Sequence, residues 1–410
     1  MEGQILGAVY YGQLFGFLPG GRMAEIYGGK RTLIIFLAVS SFCTALIPIT
    51  AHLSVYALIV CRFLIGFATA PVLPILFYLI SRWIPYSERS FTSSFVLAGY
   101  GLGAFLSFIS SGVLCASDFL GGWPAVFYTG ALSGFVWCCL CYLLVYDTPK
   151  DHPTITLEEL EYIAKHLPVA EKQIKTIPWK SIMTSVPFWA LAVGYFGQFW
   201  ILGFYCTAQP LYMGTILHLD SVTNGLLSSV PPLCRALFAC MCGFPADWAV
   251  KRGHLSVGFI RKSATLSNSI LACLGFLGVS LIGCDPQLNT IFFTAGGLLG
   301  DFITFGVCMA GVDIAPNLSG TVSGILSFVG VIPFFIIPAI IGWRTKYERS
   351  MAQWNFIYYI TIGVVIVTTV VYLVFGTSEP QSWRTDDNED ASEDNSDHKR
   401  KNSKDSQSKL

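Results

Sequence analysis

Charge is what this 410-residue chain has least of: Asp, Glu, Lys and Arg make up 12% of it. Soluble domains carry about 25%, so half of the usual charge is missing. Neither sign is in excess, with 25 basic and 25 acidic residues, which excludes a basic nucleic-acid-binding surface. Apolar residues at 53% exclude a disordered chain. Six histidines and thirteen cysteines show no metal-site spacing, so no metal is expected. A glycine-rich phosphate loop and a nucleophile elbow are also missing, which argues against an enzyme. A filter-like repeat is missing too, which argues against a channel. No basic leader precedes the first apolar run, so it does not read as a signal peptide.

What remains is hydrophobic length. Apolar runs lie near 4–20, 32–51, 55–79, 92–115, 124–146, 185–213, 222–246, 264–283, 288–312, 318–342 and 353–376. A helix needs about 20 such residues to cross a bilayer, so we expect an all-α polytopic membrane protein with eleven transmembrane helices. Most cysteines fall inside these runs, where a thiol behaves as a small hydrophobe. Only Cys115 and Cys284 lie near loops on the non-cytosolic side, as a candidate disulfide. Lys and Arg set the orientation. With the loop after the first run in the cytosol, twenty bases are cytosolic, Arg89 and Arg261 among them. Arg344, Lys346 and Arg349 lie opposite, and Arg62 and Arg235 lie inside runs. The C-terminus is therefore expected in the cytosol, and the sequon at Asn317 faces the cytosol unglycosylated. A polar linker, 147–184, with a capped acidic helix start at Thr156, divides an N-terminal bundle, 1–146, from a C-terminal bundle, 185–377. A polar tail, 378–410, reads as disordered.

The turn after the first run reads Gly20-Gly21-Arg22-Met23-Ala24-Glu25-Ile26-Tyr27-Gly28-Gly29-Lys30-Arg31. Two glycine pairs frame an acid and a basic cluster. A fainter copy, Gly243 to Trp248 with Asp247 and then Lys251-Arg252-Gly253, follows in the second half. This pattern resembles the loop signature of the major facilitator superfamily. The resemblance implies that Gly21, Glu25, Gly28, Lys30, Arg31 and Asp247 form a conformational motif, its acid meeting bases and neighbouring helix ends. Two bundles joined by a linker suit such a transporter.

Further stretches resemble solute carrier family seventeen, which includes phosphate, sialic-acid and vesicular glutamate carriers. They are Leu18-Pro19-Gly20-Gly21, Trp83-Ile84-Pro85 with Glu88-Arg89-Ser90, Asp147-Thr148-Pro149, Pro178-Trp179-Lys180-Ser181, Asp313-Ile314-Ala315-Pro316 and Phe375-Gly376. The likeness runs to about residue 384. That family has twelve helices, and residue 1 falls at the start of its helix two. Five helices before the linker and six after are thus explained by an absent family helix one, read as a truncated gene model or an isoform.

Arg62 stands about eight residues into the third run, roughly 12 Å deep. An intramembrane charge is costly and is a functional candidate by default. The resemblance implies that Arg62 contacts an anionic substrate, and a guanidinium suits carboxylate or phosphate. It also implies cavity positions at Tyr11, Thr69, Gln198 and Ser327. Several of these depart from the family pattern. Thr69 replaces a glutamate linked to proton coupling, Phe77 replaces a histidine, Gln198 an arginine and Ser327 an asparagine. Threonine does not exchange protons near neutral pH, so sodium-driven, exchange or uniport operation gains weight. Asp301 is read as the one acid well inside a run; it either pairs with Arg235 or serves as the ion-coupling group. Gly99, Gly101 and Gly103 are expected to let helices approach and slide.

The expected function is secondary active transport of an anionic solute, organic anion or inorganic phosphate, by alternating access around Arg62, in symport with sodium or a proton. The alternative is a non-transporting paralogue with an interaction or regulatory role. Its partners are then the solute and the lipid bilayer, with no nucleic acid and a monomer as the expected state. The membrane is the plasma membrane or a lysosomal or vesicular one.

Overall fold

The computed structural model describes residues 2–85, 88–167, 177–216, 221–282, 285–345 and 350–381. Among these the chain is helical and has no strand, as apolar segments must be when lipid offers no hydrogen-bond partners. Before the linker come α1 (Glu2–Tyr27), α2 (Gly29–Leu53), α3 (Val55–Thr69), α4 (Val72–Trp83), α5 (Arg89–Ala116) and α6 (Trp123–Leu144). The linker holds α7 (Leu157–His166) and α8 (Trp179–Thr184). After it come α9 (Val186–Gly203), α10 (Gln209–Thr215), α11 (Ser221–Lys251), α12 (Val257–Ile282) and α13 (Pro286–Gly297). The series ends with α14 (Met309–Ile314), α15 (Ser319–Val331), α16 (Pro333–Arg344) and α17 (Met351–Phe375).

Nine stretches among the described residues are long and apolar enough to cross a bilayer. Several combine two helices: α3 with α4 across Pro71, α9 with α10, and α15 with α16. The other two expected crossings are α1 and the segment 286–314. Glycines and glutamines dilute the apolar content of α1. The segment 286–314 is not the single run expected from the sequence. It breaks after Gly297, passes Gly300 and Asp301, and resumes through a π-turn at Thr304–Cys308 with non-helical Gly306 before α14. Interrupted helices are tolerated at membrane depth where the freed backbone is buried in protein.

Small residues set how closely the helices pack. A side chain at Gly12 would overlap the backbone of Phe63, and one at Gly66 the backbone of Val9, so α1 and α3 touch main chain to main chain. In the second half α9 packs on α17, and α12 packs on α13 and α17. An aromatic core fills that half around Phe204, Tyr212, Phe276, Trp354 and Tyr358. The halves meet along two pairs, α1 against α15 and α5 against α11. A dry core with Phe77 and Ile80 of α4, Leu191 and Tyr195 of α9, and Val322 and Leu326 of α15 joins them at one end.

In the linker, Thr156 caps α7 as expected, its Oγ1 accepting from the Glu159 N–H at 3.2 Å. Cys115 is a free thiol; Cys284, its suggested partner, lies outside the described residues, as does the tail from residue 382.

Candidate functional site

Ser54 starts α3 by capping it, its Oγ accepting from Ala57 N–H at 3.1 Å. Arg62 therefore falls two turns inside the helix. It is half-buried, and its Nε is buried without a hydrogen-bond partner. No ion pair reaches it among the described residues. Thr69, two turns on, shares its helix face. The Thr69 hydroxyl donates to the Ile65 and Gly66 carbonyls.

The remaining cavity candidates fare differently. Gln198 is buried and spoken for: its Nε2 donates to Ser269 Oγ at 2.8 Å, and its Oε1 accepts from Asn268 Nδ2 at 2.6 Å. Both partners lie on α12, inside the second half. Ser327 is buried with an unpartnered hydroxyl, as is Ser323 one turn earlier. Tyr11 is 52% exposed and leans its ring on Phe335 of α16, centroids 4.9 Å apart. No hydrogen bond among the described residues joins Arg62 to Tyr11, Gln198 or Ser327. Phe77, at the position of the family histidine, is fully buried in the core joining the halves.

Arg235 and Asp301 do meet. Arg235 Nε lies 2.7 Å from Asp301 Oδ1, with both side chains largely buried. The aspartate sits in the break of the 286–314 segment. The pair therefore neutralises a base beside that break. Of Gly99, Gly101 and Gly103 in α5, Gly101 alone makes a close contact. A Cβ there would stand 2.7 Å from Ala236 Cβ and 3.6 Å from Asp301 Oδ2, while Gly99 and Gly103 face open space.

The motif residues lie together at the end where the dry core closes, but they do not form the expected turn: Gly21 and Glu25 lie in α1, Lys30 and Arg31 in α2 and Asp247 in α11, with only Gly28 between helices. Three carboxylates there cap helix N-termini, whose first N–H groups have no partner within the helix. Glu25 accepts from Thr321 N and Oγ1, both at 2.7 Å, at the start of α15. Asp247 accepts from Ser90 N at 3.1 Å and Phe91 N at 2.7 Å, at the start of α5. Asp147 accepts from Lys30 N at 2.7 Å, at the start of α2. The first two contacts each join one half of the molecule to the other. Gly21 lets this happen, since a side chain there would strike the Gly320 carbonyl. Gly28 turns the chain at φ 93°, a left-handed value that favours glycine. Arg22 pairs with Glu25 at 2.9 Å. The Lys30 ammonium lies 4.5 Å over the Tyr146 ring, and Arg31 is exposed.

Two arginines counted as loop bases are not on the surface. Arg89 and Arg261 are fully buried and share one buried carboxylate, Asp313. Arg89 Nη1 donates to Oδ1 at 2.7 Å and Arg261 Nε to Oδ2 at 3.0 Å. Arg261 also donates to Ser90 Oγ and the Phe305 carbonyl. Asp301 is thus not the one acid buried in the helical body. By sequence Arg89 reads as a loop base in a family-like stretch and Asp313 as part of another such stretch. They stand 224 positions apart, so no local periodicity could pair them. Outside the helical body, Glu88 accepts from Lys251 Nζ at 2.7 Å and Tyr162 Oη at 2.8 Å. The Lys251 hydrogen bond holds its carboxyl below the ordinary glutamate value.

Residues 2–338 match the family model described as Major Facilitator Superfamily. The chain is 32% identical over 388 residues to "Sialin" of Ovis aries, covering 95% of this chain and 78% of that protein. It is 32% identical over 391 residues to "Sodium-dependent phosphate transport protein 1" of Homo sapiens, covering 93% and 81%. Among solved structures it is similar to the proton:xylose symporter XylE, with a TM-score of 0.70 at 14% identity, over 92% of this chain and 87% of that one. The human organic anion transporter MFSD10 gives 0.60 at 15% identity, over 90% and 83%. These structures share its fold. The relatives are membrane transporters and not enzymes, in line with the sequence reading.

Proposed function

Since the chain belongs to the major facilitator superfamily and, within it, to solute carrier family seventeen, we propose that this multi-pass membrane transporter carries a small anionic solute by alternating access. In this reading it is a secondary active carrier, and Arg62 is the charge that receives the anion.

One observation carries the proposal. The deeply buried arginines Arg89, Arg235 and Arg261 each meet an aspartate, whereas Arg62 meets none. Holding an unneutralised guanidinium at membrane depth costs about 2.5–3.5 kcal/mol on insertion scales. A carboxylate or phosphate from outside offsets that cost with charge-assisted hydrogen bonds. Relatives named for sodium-dependent phosphate transport and urate export support an anion as cargo. The end closed by Glu25, Asp247 and Asp313 is then the cytosolic gate, with the C-terminus on the same side. The co-ion is sodium or a proton, and its place is Asp301, because Thr69 leaves no carboxylate paired with Arg62 among the described residues. Tyr11, Thr69 and Ser327 contribute hydroxyls to the solute, and Gln198 joins them only by giving up its α12 partners.

The experiment is uptake of labelled phosphate, urate and sialate into proteoliposomes holding the full chain, with sodium, pH and potential varied separately. Uptake of at least one anion is expected, and Arg62→Ala should abolish it with the protein still folded. Full uptake by that variant would overturn the assignment of Arg62. A folded wild type that moves no anion would instead support the non-transporting reading.

A further inference from the structure

A second arginine occupies a cavity between the two halves. Arg235 of α11 lies about 21 Å from the helix start, near mid-membrane. The cavity is lined by Arg235 with Tyr205, Cys206, Gln209 and Ser228 from the second half and by Tyr100 of α5 from the first. Its volume of about 30 Å³ is room for water and not for an organic anion.

The lining is largely apolar, with Phe108, Pro231 and Pro232 among it, and a few polar groups stand in it. Gln209 is 2% exposed with its Nε2 unpartnered, and Tyr205 is 8% exposed with its hydroxyl unpartnered. Arg235 Nε lies 2.7 Å from Asp301 Oδ1 as an ion pair, yet it is buried without a hydrogen bond of good geometry. On the acceptor side, Asp301 Oδ2 is buried without a partner. Buried polar atoms left unmatched cost about 1–3 kcal/mol each, so a cluster of them is a site and not a seal. The ion pair lies beside the surface where the halves meet: Gly101 of α5 packs on Ala236 and the Pro232 carbonyl of α11, and Asp301 Oδ2 is 3.6 Å from where its Cβ would stand.

We propose that Arg235 is a second anion-binding guanidinium, occupied in this conformation by Asp301 as an internal substitute for an oxyanion. When α5 withdraws from α11, the carboxylate or phosphate group of the solute displaces Asp301 from Arg235. Gln209 and Tyr205 donate to the oxygen atoms of that group, and the freed Asp301 carboxylate takes the accompanying cation. No covalent bond changes. The pair splits, each half takes the ion of opposite charge, and re-forming it expels both. This account rests on the proposed anion transport, and it adds the residues that couple anion to cation.

The test uses the full chain in proteoliposomes with labelled inorganic phosphate and N-acetylneuraminate as probes. The double variant Arg235→Gln/Asp301→Asn leaves no uncompensated charge, so it should fold. Losing a charged donor set should raise its KM about tenfold or more and abolish the dependence on the cation gradient. Asp301→Asn alone removes the internal competitor and should lower KM while slowing turnover. If the double variant keeps the wild-type KM and cation dependence, the pair is structural and the proposal fails. That failure can be told apart from failure of the broader reading: Arg62→Ala would still abolish uptake in the first case. If Arg62→Ala transports normally while the double variant does not, the Arg62 assignment falls and the Arg235 site stands.

Discussion

Arg62 and Arg235 are the two bases that the sequence places inside apolar runs, and the structure treats them in opposite ways. Arg235 of α11 is buried with Asp301 at 2.7 Å. Arg62 is half-buried on α3 with no carboxylate near it. The first half thus holds a charge open, and the second holds one closed. A base paired inside a protein is an energetic unit, and breaking it leaves an uncompensated charge costing about 3–5 kcal/mol. A base held without a partner contributes nothing to the fold that its removal would cost. The contrast separates a charge open to a ligand in this conformation from one that the chain itself neutralises in it.

The largest effect should come where pairing is tightest. Asp313→Ala strands both Arg89 and Arg261, fully buried at the junction of the halves. It should destabilise by about 3–5 kcal/mol or more, seen as a steep fall in melting temperature or as loss of folded protein. Melting at wild-type temperature would mean that water reaches the junction.

The comparison itself is tested next by removing each mid-membrane base. Arg235→Ala should lower the melting temperature in detergent, because Asp301 is left buried and alone. Arg62→Ala should leave it unchanged or raise it while abolishing uptake. Equal melting shifts for the two variants would erase the distinction.

Glu25→Ala should act on conformation more than on stability. It removes two hydrogen bonds from a charged acceptor to the start of α15, about 1.5–3 kcal/mol each at most. The closed end should open more often, which cysteine accessibility at Ser319 and Ser81 would report. These residues now meet at 2.9 Å. Unchanged labelling would show that Asp247 and the arginine pair suffice to hold the gate.

The smallest effect belongs to Glu88. Its carboxyl is held low by the Lys251 hydrogen bond, so this contact stabilises the protein above the ordinary glutamate value of 4.5. That contribution fades as pH falls through the lowered value. The pair is partly exposed, so the change is about 1 kcal/mol or less. A Glu88→Gln variant should flatten this part of the acid melting curve.

Much of the helical body was legible in the sequence because lipid imposes a length on apolar runs. Nine of the eleven expected crossings meet that test. The 286–314 segment did not read correctly, since its hydropathy is continuous while Gly297, Gly300 and Gly306 let the backbone break. Arg62 could be singled out because a base within an apolar run is conspicuous by itself. Arg89, Arg261 and Asp313 could not. They lie near run ends, where charges are usually solvated, and the partners are far apart in the chain.

The sequence by itself determined a helical membrane body, a repeated acid-bearing motif and two arginines inside apolar runs, because each is set by local composition and spacing. Only the tertiary structure decided which charges are neutralised. Pairing depends on which helix ends meet across the two halves, and that follows from how glycines such as Gly21 and Gly101 let the backbones approach.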